Sequence, residues 1–138
     1  MERKMFCFQC EQTAGCKGCT GAAGVCGKKA DVAGLQDKLT GALIGLARAT
    51  DGNTQPTDNT YKLLIKGLFT TITNVNFNES TIQALIDEVH AEKQNLVPNC
   101  STCASPCGRN NDYDISQLWE ADEDIRSLKS LILFGIRG

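Results

Sequence analysis

The sequence predicts an all-α fold, a helical bundle with a cysteine-rich loop at its amino terminus. Apolar residues along the middle of the chain recur at helical intervals, and no alternating run argues for a strand. Five of the eight cysteines crowd into the first 26 residues, ahead of the helical stretch. With 138 residues, 41% of them hydrophobic, the chain holds one domain's worth of material and enough apolar side chains to bury a core. It divides into a cysteine-rich segment, 1–29, and a helical bundle, 30–138, within one compact domain.

The first helix is expected from Asp31, as its cap, to about Ala49. Leu35, Leu39, Ala42, Leu43 and Leu46 fall along one face. A polar loop with glycine and proline follows, from Asp51 to Asn59. Tyr61, Leu64, Ile65, Leu68, Phe69 and Ile72 then fit the apolar face of a second helix. Asn78 or Ser80 caps a third, whose buried stripe is Ile82, Leu85, Ile86, Val89 and Leu96. Pro98 stops it, and Arg109 to Asp114 is turn material. A fourth helix starts near Trp119, with Asp122, Glu123 and Asp124 placed to oppose the helix dipole. Its stripe is Ile125, Leu128, Ile132 and Ile136, but Leu131, Leu133 and Phe134 widen the apolar surface. A helix apolar on more than one side expects a further partner, which includes a second copy of the chain docking through this helix.

Fourteen Lys and Arg against sixteen Asp and Glu give a net charge of −2, without the basic excess that a general nucleic-acid grip requires. No apolar run approaches the roughly 18–20 residues that span a bilayer, and Met1 to Met5 is not followed by the apolar stretch of a secretory signal. A cytoplasmic setting is therefore expected. There the thiols stay reduced, and clustered reduced thiols usually hold metal.

The spacing Cys7-x2-Cys10-x8-Cys19-x6-Cys26 supplies four thiolates within twenty residues. Soft thiolates suit both iron–sulfur clusters and zinc, and spacing alone also leaves disulfides or plain buried thiols open. The intervening residues are small and rich in glycine. They leave room for something larger than one ion, and their backbone N–H groups are free to face cluster sulfides, which favours a cluster over zinc.

The run Met5-Phe6-Cys7-Phe8-Gln9-Cys10-Glu11-Gln12-Thr13, followed by Gly18-Cys19 and Gly24-Val25-Cys26-Gly27-Lys28, resembles the start of the hybrid cluster proteins, also called prismane proteins or hydroxylamine reductases. The likeness continues through Leu35-Gln36-Asp37, through Gly67 to Asn76, and from Glu123 to Gly138, so it covers nearly the whole chain. The resemblance implies that Cys7, Cys10, Cys19 and Cys26 hold a [4Fe–4S] cluster, or in some members a [2Fe–2S] one. It implies a relay of electrons from a small redox donor protein toward a second, oxygen-containing hybrid Fe–S–O cluster. There hydroxylamine is reduced to ammonia, and some members are credited with reducing nitric oxide to nitrous oxide. Members of that family run to several hundred residues, and the His, Glu and Cys ligands of the hybrid cluster lie in the part that this chain does not match. The expectation is thus an electron-transfer domain that needs the remaining catalytic domains and is inactive alone. A zinc-stabilised helical binding module is the alternative.

Cys16 and the run Cys100, Cys103 and Cys107 are left over from that motif. Together they supply four thiolates for a second metal site, although free thiols are the simpler reading. The lone His90 reads as a solvent-facing helical residue. Glu11, Gln12 and Thr13 either bond near the sulfurs or cap the loop. Lys17, Lys28 and Lys29 make the cysteine end basic. That suits an anionic cluster or an acidic donor, but solvated surface is their commonest explanation. Tyr113 and Trp119 read as structural, packing the turn onto the bundle.

Overall fold

Leu39 and Leu46 of one helix and Ile82, Leu85 and Val89 of another are essentially closed to solvent, and they mark the line along which the molecule is built. The computed structural model describes residues 4–10, 12–50, 54–72, 74–96 and 111–137. Among them are five α-helices, α1 (Ala30–Ala49), α2 (Asp58–Thr70), α3 (Glu79–Leu96), a single-turn α4 (Ser116–Trp119) and α5 (Glu123–Arg137), preceded by a 3-10 turn at Ala14–Cys16. The fold is all-helical. Pairing outside helices is limited, among the described residues, to two isolated bridges, Cys7 with Cys19 and Ala23 with Lys29. No described helix is long and apolar enough to cross a membrane.

The main packing is α1 on α3, with α2 laid against both. The expected stripe of α3 is buried from Ile82 to Leu96. That of α1 is buried as well, with Leu35 at its margin. Asn78 is the cap of α3: its Oδ1 accepts from the Thr81 backbone N–H at 2.9 Å and from the Ser80 hydroxyl at 2.8 Å. Asp31 does not cap α1. The helix begins one residue earlier, after Lys29 and without a side-chain cap, so Asp31 acts from the first turn as an acid at the positive helix end.

The second helix is turned partway from the expected face. Leu64 and Leu68 pack at the margin of the core, but Tyr61, Ile65 and Phe69 form an exposed stripe, while Thr60, Leu63, Gly67 and Thr70 face inward. Two features turn it. A Cβ at Gly67 would stand 2.7 Å from a methyl of Leu43, so only glycine lets α2 approach α1 this closely. Thr57 and Thr60 form a capping box, and both hydroxyls also donate to the buried Glu92 carboxylate of α3, joined by Asn59 Nδ2 at 2.8 Å. Three donors hold the Glu92 carboxyl below its ordinary range.

Residues 111–113 lie directly on α1. Tyr113 N–H donates to the Gly41 carbonyl at 3.1 Å, and a side chain at Gly41 or Gly45 would collide with this segment. Asp112 pins the segment to α3 by accepting from the buried Lys93 and from His90 Nε2 at 2.7 Å. Burial pulls the Asp112 carboxyl upward, but these two partners outweigh it and leave it lowered. His90, expected to face solvent, is half-exposed and tied into this clamp.

The last helix starts at Glu123 rather than near Trp119, which belongs to α4. Its expected stripe, Ile125, Leu128, Ile132 and Ile136, is exposed, and Ser130 is its buried residue, with Arg126, Phe134 and Arg137 half-buried on the same side. The helix therefore carries an uncovered apolar stripe outward and polar groups inward.

Candidate metal centre

Successive side chains of residues 5–8 pack to opposite sides, in the alternation of an extended segment. Phe6 and Phe8 face one way, into an aromatic group with Trp119 and Phe134 whose ring centroids lie 5.4–5.7 Å apart. Met5 and Cys7 face the other way and pack with Cys19 against Ala30 and Ala33 at the start of α1. The aromatic group thus orients Cys7 from behind.

Cys7 and Cys19 are joined by a pair of backbone bonds, Cys7 N–H to Cys19 O at 3.1 Å and Cys19 N–H to Cys7 O at 2.7 Å. Cys26 enters through the next turn, where Gly24 N–H donates to the Lys28 carbonyl at 2.8 Å and Gly27 N–H to the Gly24 carbonyl at 2.9 Å. A Cβ on Gly24 would stand 3.6 Å from the Cys26 sulfur and 3.7 Å from the Cys19 sulfur. Both sulfurs therefore border one open spot beside a glycine. Cys7, Cys10, Cys19 and Cys26 are all free thiols. Burial is the main reason that the Cys7 thiol is pushed up. The Gln9 N–H and Lys28 work against this, and the nearby Cys19 and Cys26 add to it.

Cys10 stands apart from these three. It is half-buried along a groove with Phe8, Thr13, Lys17 and Arg126. The turn after it is closed by Thr13, whose hydroxyl donates to the Cys10 carbonyl at 2.6 Å, so Thr13 serves the loop backbone. Among the described residues no three Cys, His, Asp or Glu side chains are drawn together into a ligand set. Cys100, Cys103 and Cys107 and the Cys16 side chain lie outside the described residues, as does Glu11.

The chemistry around Cys7 nevertheless fits an anionic thiolate-bound group. Lys28, expected on the surface, is 2% exposed, with its Nζ 3.9 Å from Cys7 Sγ and 5.7 Å from the Phe77 ring centre. Lys17 and Lys29 are exposed as expected. Arg137, from the last turn of α5, donates through Nη2 to Thr40 Oγ1 at 2.9 Å, while its Nε and Nη1 are buried without a hydrogen-bond partner among the described residues. Asp37, one turn before Thr40, accepts from Trp119 Nε1 at 3.1 Å. Burial raises its carboxyl to about 6, against the opposing pull of that bond and of Arg137 and Lys28. Sequence reasoning missed Asp37 and Arg137 as neighbours of the site. Their one signal was an arginine following the apolar run Leu131 to Ile136 in the last turns of α5. For a metal group the donor set is soft sulfur, with a cationic surround and a glycine leaving space beside two sulfurs. That combination suits an iron–sulfur cluster in bulk and charge.

Fold and site together define a class, a helical domain whose amino-terminal segment gathers free thiols beside buried cations. The chain belongs to the Prismane/CO dehydrogenase family, whose model matches residues 5–138. It is 40% identical over 149 aligned positions to the hydroxylamine reductase of Methanocaldococcus jannaschii, covering 97% of this chain and 28% of that protein. It is 36% identical to the hydroxylamine reductase of Porphyromonas gingivalis W83, covering the whole chain and 28% of the relative. The hydroxylamine reductase of Caldanaerobacter subterraneus is 40% identical with the same 28% share. The chain thus spans less than a third of the length of these curated relatives.

Proposed function

We propose that this chain is the electron-entry part of a hydroxylamine-reductase-type enzyme, with a [4Fe–4S] cluster held by Cys7, Cys10, Cys19 and Cys26. The observation that carries the reading is that the Cys19 and Cys26 sulfurs both border Gly24, while Cys7, bridged to Cys19 through the backbone, stands beside a lysine withdrawn from water. When bound, the cluster supplies one-electron storage and transfer. The chain's own residues do the rest. The Cys7–Cys19 bridge places two of the thiols, the turn at Gly24 to Gly27 carries the third, and Cys10, on the turn closed by Thr13, would supply the fourth. Met5, Ala30 and Ala33 wall the sulfurs off from water on the α1 side. Substrate chemistry, the reduction of hydroxylamine to ammonia, falls to the portion of the relatives that lies beyond this match. The exposed stripe from Ile125 to Ile136 is the surface that such a portion covers. A small redox protein of the cytoplasm supplies the electrons.

Single Cys→Ser replacements test the reading. In anaerobically prepared protein, substitution of Cys7, Cys10, Cys19 or Cys26 is expected to remove most of the bound iron and the broad absorption near ~400 nm typical of such clusters, whereas Cys16→Ser retains both. Loss of iron from Cys16→Ser as complete as from Cys19→Ser would overturn the ligand assignment. A colourless protein holding zinc in the same thiols would favour a structural metal site without redox function.

A further inference from the structure

Two cations are drawn out of water beside the thiols, and among the described residues neither makes a contact ion pair, although the Asp37 charge reaches both. An ammonium or guanidinium removed from water costs several kcal/mol unless it is paired. Lys28 has no carboxylate within ion-pair distance among the described residues, and the one side-chain atom it contacts as a donor is the Cys7 sulfur. The guanidinium of Arg137 spends one nitrogen on Thr40 and leaves Nε and Nη1 buried and unbonded. Asp37, whose charge reaches both cations, accepts from Trp119 and makes no ion pair with either among the described residues. The compartment as folded therefore carries two cations against one acid, with Lys28 Nζ 3.9 Å from the Cys7 sulfur and the Arg137 charge acting on the same thiol.

From this, and resting on the cluster reading above, we propose that Lys28 and Arg137 are resident counter-charges of the thiolate-bound cluster and raise its reduction potential. Four thiolates leave such a cluster net negative, and one-electron reduction deepens that charge. A fixed cation nearby stabilises the reduced form more than the oxidised one, and net charge and hydrogen bonds to sulfur are recognised controls of cluster potential. Lys28 acts on Cys7 at contact range. Arg137 acts from the end of α5, and its seating on Thr40 makes the potential depend on that helix being docked. Lys17 and Lys29 are exposed, so solvent screens them and their contribution is small.

The test is an anaerobic redox titration of the cluster-loaded chain, with dithionite as the one-electron reductant, mediators present and absorbance or spin resonance as the readout. Lys28→Met is expected to lower the reduced-to-oxidised ratio at fixed applied potential about tenfold, which is about 59 mV for a one-electron couple. Arg137→Met is expected to move it the same way by less, and Lys28→Arg to leave it near the parent value. Lys28→Met and Arg137→Met proteins that load with iron yet titrate at the parent potential overturn the inference while leaving the cluster reading intact. A parent chain that binds no iron and no sulfide overturns both. Should Lys28→Met fail to load, Arg137→Met set against Lys28→Arg decides the matter by the same shift.

Discussion

Glu92 and Arg137 are both charged groups drawn inside the protein, and the fold treats them in opposite ways. At the α2–α3 junction Glu92 receives three donors, from Thr57, Asn59 and Thr60, and lies over a dry core of leucine, isoleucine and valine. At the α1–α5 junction Arg137 keeps two unbonded nitrogens, Lys28 has a thiol where an acid would normally stand, and Asp37 is raised to about 6. The first junction is complete in itself. The second leaves two cations without a contact ion pair beside free thiols, an imbalance that supports the proposed cluster.

That contrast can be broken from the core side. Leu46 is closed to solvent between α1 and its partners, and Leu46→Ala is expected to cost about 2–5 kcal/mol in a urea melt, with or without metal. A loss under 1 kcal/mol would mean that the three-helix core does not carry the stability assigned to it. Glu92→Gln is the next largest. It replaces an acceptor of three hydrogen bonds by a group that must also donate, costing roughly 1–2 kcal/mol near neutral pH. Because the Glu92 carboxyl is lowered on folding, its contribution is present above its unfolded value of 4.5 and is lost as pH falls through the folded one. The gap between parent and variant should therefore close in acid.

Asp37 has the opposite sign and the smallest effect. Its folded value of about 6 lies above the ordinary 3.8, so the folded chain holds this proton more tightly than the unfolded one. In the metal-free chain it favours folding below pH 4, and that advantage is lost as pH rises to about 6. Asp37→Asn keeps an acceptor for Trp119 and is expected to be more stable than the parent above pH 6, by on the order of 1 kcal/mol after solvent screening. Equal stability of the two proteins at pH 5 and pH 8 would show that the second junction is not under charge strain.

Much of the core was legible in the sequence. The stripes of α1 and α3 were, because each helix carries a single apolar face and burial then has one solution. The α2 face was legible only at Leu64 and Leu68, and the inward side of α5 was not legible, for one common reason. Both helices carry apolar residues on a face that ends up outside, and the choice of side is made by long-range partners: Leu43 beneath Gly67, Glu92 beneath Thr60, and Thr40 beneath Arg137. Hydrophobicity alone gives no hint of these. The thiol motif was legible from spacing, and the resemblance named its family. The burial of Lys28 was not, because the groups that enclose it, Cys7 and Phe77, stand far from it in the chain.

The most direct measurement is iron and acid-labile sulfide per polypeptide in chain purified and reconstituted without oxygen. The account predicts about four of each, bound in a brown protein and lost together when the cluster cysteines are replaced. Protein that takes up neither, or that binds a single zinc ion in the same thiols, contradicts it.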